Sequence, residues 1–411
     1  MIVCCGEALI DLIRPTGLAE GFLPLPGGSP FNTAVAIGKL GVPVKYLGKL
    51  STDFFGEILA KRMRDNRIGE ELVSRTALNS SLAFVKIEKN KEPQYIFYCE
   101  NTADLSLKTD ELPAKLPADT SCILFGSFAM TIEPIASAIE ALILREATRK
   151  SADQMDGAPV ISFDPNIRPV MIKNRDAYRE RFEKWIAAST IAKISMADFE
   201  YIYPKMGLEQ AMQKILTMGP RLVIGTMGPK GSTALLRRND GSVLKVSAPS
   251  VDLPVVDTIG AGDTFHGAFL AWLELKGKMS RSTLVGLNEA ELYNALFFAN
   301  KAASIVCSRQ GAEPPTRREV ESLKIPEQKV VEKKTAAKKP EIKAEAKQAA
   351  KPAPAKTSAV KPPAVKSAAK PAAKPAAKKT AVKEPAAAKP AAAKKPAAKS
   401  QPAKKPAPKK K

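Results

Sequence analysis

Val255-Val256-Asp257-Thr258-Ile259-Gly260-Ala261-Gly262-Asp263-Thr264-Phe265-His266-Gly267 is the most informative stretch of this 411-residue chain. After it, Phe265, Ala268, Phe269, Trp272 and Leu273 recur at helical spacing, so Gly260-Ala261-Gly262 sits at a helix N-terminus. Small residues there let backbone N–H groups close on an anion, and the helix dipole favours negative charge. Asp263 follows at the lip of that site. A carboxylate there opposes a bound anion, which makes sense for a general base facing a hydroxyl that attacks a phosphoryl group. The same residues also fit a plain glycine turn with an Asp helix cap.

Outward from this stretch, strands and helices alternate. Ile2–Cys5, Val44–Leu47, Cys122–Phe125, Val160–Phe163, Ile191–Ile194 and Leu222–Ile224 read as short buried strands. Asn32–Leu40, Phe55–Asn66, Ile132–Arg149 and Tyr178–Ala188 read as amphipathic helices. This order predicts an α/β fold, a mostly parallel sheet with helices on both faces. Two stretches fall outside the pattern. Residues 13–28 are irregular and rich in Gly and Pro, and residues 82–98, LAFVKIEKNKEPQYIFY, alternate like a hairpin around a polar turn at Lys89–Glu92. A small β flap on the larger domain accounts for both.

The net charge of +22 is not spread evenly. Residues 327–411 carry 25 Lys against 5 Glu, leaving residues 1–326 at a net +2. The chain therefore reads as a near-neutral body, 1–326, with a basic tail, 327–411. The tail, as in KPAAKPAAKKTAVKEPAAAKPAAAKKPAAK, has 13 Pro and no Gly or aromatic residue. Lys and Ala favour helix, but proline at this density interrupts it, and nothing large and apolar is available to bury. Disorder is expected. The tail resembles the C-terminal tails of linker histones. It reads either as a non-specific nucleic-acid or polyanion binder or as a solvated extension without a partner. The missing aromatics argue against single-strand readout.

Five Cys without a Cys-x-x-Cys pair, and a single His, argue against a disulfide framework, a zinc site and a His-based triad. A reduced, cytoplasmic setting fits them. The start, MIVCCGEALIDL, carries Glu7 and Asp11 in its apolar run and does not read as a signal peptide. No apolar run reaches the roughly 18–20 residues of a membrane span.

DTIGAGDTF resembles the carboxyl-terminal signature of the sugar kinases of the ribokinase (PfkB) family. Gly27-Gly28-Ser29-Pro30-Phe31-Asn32-Thr33-Ala34-Val35-Ala36-Ile37-Gly38-Lys39-Leu40-Gly41 resembles its amino-terminal signature. The resemblance covers roughly residues 1–325. It implies a ribokinase-like doubly wound sheet with a small β lid over the sugar. Asp263 then matches the catalytic base, and Gly260, Ala261 and Gly262 match the anion hole for the transferring phosphoryl group. Asp11 matches an acidic residue holding sugar hydroxyls, and Gly28 and Asn32 match sugar-contacting positions. Without the family these three would be a strand end, a turn and a helix cap.

Thr226, Gly228 and Gly231, in Thr226-Met227-Gly228-Pro229-Lys230-Gly231, resemble the family's nucleotide-binding turn. Asn300 matches a position lining the adenine pocket, although a helix-packing role fits it as well. Asp257, Ile259 and Gly311 lie where many members bind a monovalent cation, K⁺ among them. Ser195-Met196-Ala197-Asp198 stands where many members have Asn-x-x-Glu, which organises Mg²⁺. Asp198 is shorter and would act through water, with Glu200 or no residue as the alternative. ATP and Mg²⁺ are the implied cofactors.

Within the family the chain looks most like bacterial fructokinases, through GEALIDLI, GGSPFNTAVAIGKLG, FDPNIRP and the Phe97–Asp104 segment. Asp164-Pro165-Asn166-Ile167-Arg168-Pro169 follows a strand, at the end where ligands bind in such sheets. Asn166 could contact a hydroxyl and Arg168 a phosphate or sugar oxygen; a proline-bounded turn is the alternative. Cys99 replaces an Arg frequent in fructokinases. His266 reads as packing or as support behind the site. The expected activity is therefore ATP-dependent phosphorylation of D-fructose to fructose 6-phosphate. 2-Keto-3-deoxygluconate and ribose stay open as acceptors, as does a nucleic-acid-associated role through the tail. The family's lid strands also allow a homodimer.

Overall fold

The computed structural model describes residues 1–14, 21–86, 94–148 and 157–323. They all fall within a compact unit spanning Met1–Val331. The basic tail, the Lys89–Glu92 turn and part of the 13–28 segment lie outside the described residues.

In chain order the strands are β1 (Ile2–Cys5), β2 (Leu9–Ile13), β3 (Leu23–Gly27), β4 (Val44–Ser51), β5 (Ile68–Thr76), β6 (Ser81–Lys86), β7 (Gln94–Tyr98), β8 (Cys122–Gly126), β9 (Val160–Asp164), β10 (Ile191–Ser195), β11 (Leu222–Thr226), β12 (Ser232–Arg237) and β13 (Val243–Ala248). The α-helices are α1 (Ser29–Lys39), α2 (Phe54–Asp65), α3 (Ile135–Ala147), α4 (Arg175–Ala188), α5 (Met196–Ile202), α6 (Leu208–Met218), α7 (Ala261–Leu275), α8 (Arg281–Val285), α9 (Glu289–Cys307) and α10 (Arg317–Ser322).

Nine strands form one sheet in the order β13-β12-β11-β10-β9-β8-β1-β4-β5. All neighbours are parallel except at the β11-β12-β13 end. Alternation along β1 assigns its side chains to two cores. Ile2 and Cys4 join Phe31, Ile37, Leu59 and Phe269 on one face, while Val3 and Cys5 join Ile139, Phe182, Trp185 and Ile215 on the other. Each face is thus sealed by helices, the doubly wound arrangement expected from the strand–helix alternation. Because the chain leaves β1 for β4 on one side and later returns to β8 on the other, the strand order reverses at β1/β8. A crevice opens there at the carboxyl ends of the strands.

The remaining strands form a four-stranded sheet, β3-β2-β6-β7. It is the flap, built differently from the sequence reading. Residues 23–27, expected to be irregular, form strand β3 despite Pro24 and Pro26. The strand lies at the sheet edge, where a missing N–H costs no ladder bond on the outer side. Strand β2 carries Asp11 in mid-strand rather than at a strand end.

Candidate functional site

The crevice and the flap enclose a pocket lined by Glu7, Asp11, Gly28, Ser29, Asn32, Tyr95, Phe97, Ser127, Asn166, Arg168, Ile259, Gly260 and Asp263, among others. Seven of the residues singled out from sequence therefore converge here from four separate segments: Asp11, Gly28, Asn32, Asn166, Arg168, Gly260 and Asp263. Ile259 joins them.

Asp263 stands in the first turn of α7. Gly260 caps that helix with a left-handed φ of 74°, and a Cβ there would meet Ala312 Cβ at 2.7 Å, so glycine is required on both counts. Among the described residues the N–H groups of Gly262 and Asp263 meet no acceptor, whereas Thr264 N–H already bonds Gly260 O. These two are the orphan donors of the helix start and are free for an anion.

The carboxylate of Asp263 is buried and held at both oxygens. Ser29 Oγ donates to Oδ1 at 2.7 Å and Asn32 Nδ2 donates to Oδ2 at 3.0 Å. Burial raises its pKa, and the two hydrogen bonds pull it back part of the way. Asn32, expected to touch the sugar, lines the pocket and also orients this carboxylate. Both donors sit on α1, which packs against α7 through small residues; a Cβ on Gly267 would approach Ala36 Cβ to 2.9 Å. In turn α1 is anchored by Glu7, whose Oε1 accepts from Ser29 N–H at 3.1 Å. Burial lifts the Glu7 carboxyl to about 8.

Asp11 faces the same pocket from the lid. Burial, and then the nearby Asp263 carboxylate, raise its pKa to about 7, with Arg168 opposing. Arg168 Nη1 donates to Asn166 Oδ1 at 2.8 Å, and the guanidinium lies 5.6 Å from the centre of the Tyr95 ring. Asn166 itself has a positive φ of 36°. Cys99 does not line the pocket and packs against the apolar core instead, so Arg168 is the cationic side chain lining the pocket.

The other expected residues do not line this pocket. Thr226, Gly228 and Gly231 shape a tight turn between β11 and β12, closed by Met227 N–H to Gly231 O at 2.9 Å. Asn300 donates from Nδ2 to Ser232 Oγ and to Ala248 O, both at 3.0 Å, tying α9 to the strands that follow this turn. Asp257 accepts from Ile259 N–H at 3.0 Å and from Gly311 N–H at 2.9 Å, so the three residues of the expected cation site do meet. Asp198 accepts from Ile167 N–H with Oδ1 and from Ser195 N–H and Oγ with Oδ2, which leaves one lone pair on Oδ1. Glu200 is exposed. Among the described residues no group of three or more His, Cys, Asp or Glu could hold a metal ion, and no helix is long and apolar enough to cross a membrane.

Sequence reasoning missed Glu7, Ser29, Tyr95 and Ser127. Ser29 had a signal, because it lies one helical turn before Thr33 and next to the glycine pair of the GGSPFN motif. Tyr95 had only the alternation of β7.

Comparison with known proteins agrees with this geometry. Residues 1–318 match the family described as pfkB family carbohydrate kinase. The chain is 36% identical over 296 residues to a fructokinase of Rhizobium leguminosarum bv. trifolii, covering 72% of this chain and 86% of that protein. It is 32% identical over 333 residues to fructokinase-1 of Zea mays, covering 79% and 97%. A solved fructokinase of Xylella fastidiosa with bound ATP superimposes with a TM-score of 0.69 at 25% identity, covering 78% of this chain and 97% of that one. With a two-signature sequence, a doubly wound fold and a carboxylate at an open helix start, the chain belongs to the pfkB family of carbohydrate kinases and is an ATP-dependent sugar kinase.

Proposed function

We propose that this kinase transfers the γ-phosphoryl group of ATP to D-fructose, giving fructose 6-phosphate. The observation that carries the mechanism is the carboxylate of Asp263, held by Ser29 and Asn32 beside the free N–H groups of Gly262 and Asp263 at the start of α7. Asp263 accepts the proton of the attacking hydroxyl, and the loop takes up charge on the transferring phosphoryl oxygens. Asp11, Asn166 and Arg168 orient the sugar by its other hydroxyls. Thr226, Gly228, Gly231 and Asn300 border the nucleotide side. The fructokinase relatives support fructose over ribose and 2-keto-3-deoxygluconate.

Mg²⁺ fits as an ion brought in with the nucleotide, held by phosphates and water, since the described residues offer no cage of their own. The free lone pair of Asp198 Oδ1 suits a water of that ion. Asp257, Ile259 and Gly311 are read as the contact points of a K⁺-like ion. A cytoplasmic setting suits five unpaired cysteines.

The test is ADP release with ATP and Mg²⁺ across fructose, ribose, glucose, 2-keto-3-deoxygluconate and fructose 6-phosphate. Fructose is expected to give kcat/KM at least about tenfold above the others, a gap a few polar contacts supply. Preference for another sugar would overturn the substrate while leaving the kinase.

Two features outside the catalytic pocket complete the reading. The Lys/Ala/Pro-rich residues 327–411 bind nucleic acid without sequence preference, through charge alone. The outer lid face, with Ile96, Tyr98 and Phe22 exposed, supports pairing of two lids into a homodimer. One sedimentation experiment examines both, using the full chain and a chain ending at Pro326, with and without duplex DNA. Both proteins should run as dimers. Only the full chain should carry DNA, and it should release DNA between about 50 and 200 mM salt. DNA binding by the truncated chain, or a monomer in both, would refute the corresponding part.

A further inference from the structure

We infer that Lys193, held by Asp164, is a positioning residue for phosphoryl transfer: its ammonium is a fixed positive charge lying directly beneath the Gly260–Gly262 loop. The inference rests on the reading of that loop as the anion hole.

Lys193 comes from the middle of β10 and Asp164 from the end of β9. Nζ lies 2.9 Å from Asp164 Oδ2, and both side chains are only 4% exposed. A Cβ on Gly262 would stand 3.1 Å from Nζ, so the ammonium lies next to Gly262, the residue whose N–H is open to an anion. Of its three N–H donors, Asp164 is the sole hydrogen-bond acceptor among the described residues. The other two remain for the loop side.

This pair is a poor device for stability. A buried ion pair gains little over apolar residues of the same volume unless its remaining polar atoms are satisfied. Here they are not. Asp164 Oδ1 and the Nδ1 of His266 are buried without a hydrogen-bond partner, and Nδ1 stands 3.6 Å from Asp164 Oδ2, too far to bond. His266 is fixed from its other side, with Nε2 2.7 Å from Ser162 Oγ. What the arrangement does achieve is a full positive charge behind two backbone donors, in a site where charges interact strongly. Burial works against that charge, and Asp164 more than offsets it, so Lys193 stays protonated. The charged or titratable groups facing it are Asp164, Asp198, Asp263 and His266.

Two variants test the inference against a merely structural role. Lys193→Met leaves Asp164 buried and alone, so both thermal midpoint and kcat should fall. The double variant Lys193→Met/Asp164→Asn removes both charges and should recover the midpoint. Its kcat on the sugar that the wild type phosphorylates should nevertheless stay about 10²-fold low, at the lower end of losing one anion-hole group, with the sugar KM within about threefold. Asp164 raises the Asp263 carboxyl and Lys193 lowers it. The acid limb of kcat/KM should therefore move to higher pH in the single variant and return in the double one. Calorimetric affinity for ADP with aluminium fluoride should drop with kcat, a readout that does not need turnover. A double variant with wild-type kcat and wild-type anion affinity would overturn the inference. If the single variant fails to fold, the double variant alone decides. Failure of the proposed function would appear first in the wild type, as no turnover on any sugar, and the calorimetric arm would still read Lys193.

Discussion

Asp263→Asn should lower kcat on fructose by about 10³-fold while the protein stays folded. General-base catalysis contributes about 10²–10⁴-fold, and this is the carboxylate that faces both the pocket and the free N–H groups of the loop. Asn keeps the shape, and its carbonyl oxygen can still accept from Ser29 Oγ, now at 2.7 Å from Oδ1. It also removes a buried negative charge whose pKa is already raised by desolvation. The thermal midpoint should therefore hold or rise, as often happens when a strained catalytic group is neutralised. Asp263→Ala should lose turnover equally but leave Ser29 and Asn32 without an acceptor, at a cost of about 1–3 kcal/mol. Initial rates of ADP release, paired with melting curves, check both variants. Turnover within tenfold of wild type in Asp263→Asn would transfer the proton to another acceptor, with Asp11 as the next carboxylate in the pocket.

Gly28→Ala should be strongly damaging to catalysis although Gly28 has no side chain of its own to contribute. Gly28 has φ 99° and ψ 127°, which a side chain rarely adopts, and its Cβ would come within 2.6 Å of Glu7 O. Backbone strain of this kind costs about 1–3 kcal/mol, before the clash is relieved. The relief must come from α1, because Glu7 is fixed by β1 and by its own bonds to Ser29 and Ala129. A shift of α1 carries Ser29 and Asn32 away from Asp263. A displacement of about 1 Å in such positioning costs on the order of 10²-fold in rate. The control is Gly41→Ala at the far end of the same helix. Gly41 has φ 80° with nothing within 4 Å of an added Cβ. It should lose stability from strain alone and keep kcat. Equal kcat losses in the two variants would show that general destabilisation, and not the seating of α1, governs the rate.

Much of this site was legible because its parts are local. The turn Gly260-Ala261-Gly262, the carboxylate behind it and the apolar helix that follows occupy one short stretch, and backbone geometry there follows from residue size. The same holds for the glycine pair ahead of α1. The partners of these groups were less legible. Asn32 reads as a ligand for the sugar, and it does line the pocket, but its bond to Asp263 spans 231 positions of chain and has no local signal. Asn300 could be an adenine contact or a packing residue by sequence, and its amide is committed to Ser232 and Ala248. Strand β3 was hidden by its two prolines, because whether a proline breaks a strand depends on the strand's place in its sheet.

By itself, the sequence determined the alternation of strands and helices, the glycine-rich helix start with its carboxylate, and the separation of a near-neutral body from a basic tail. Each follows from periodicity, residue size or charge read along the chain. Only the tertiary structure decided that Ser29 and Asn32 hold the Asp263 carboxylate, that Glu7 seats α1, and that Lys193 lies under Gly262. Those relations depend on which strand ends meet at the β1/β8 reversal and on how closely α1 and α7 approach. Packing of distant segments sets both, and no local pattern encodes them.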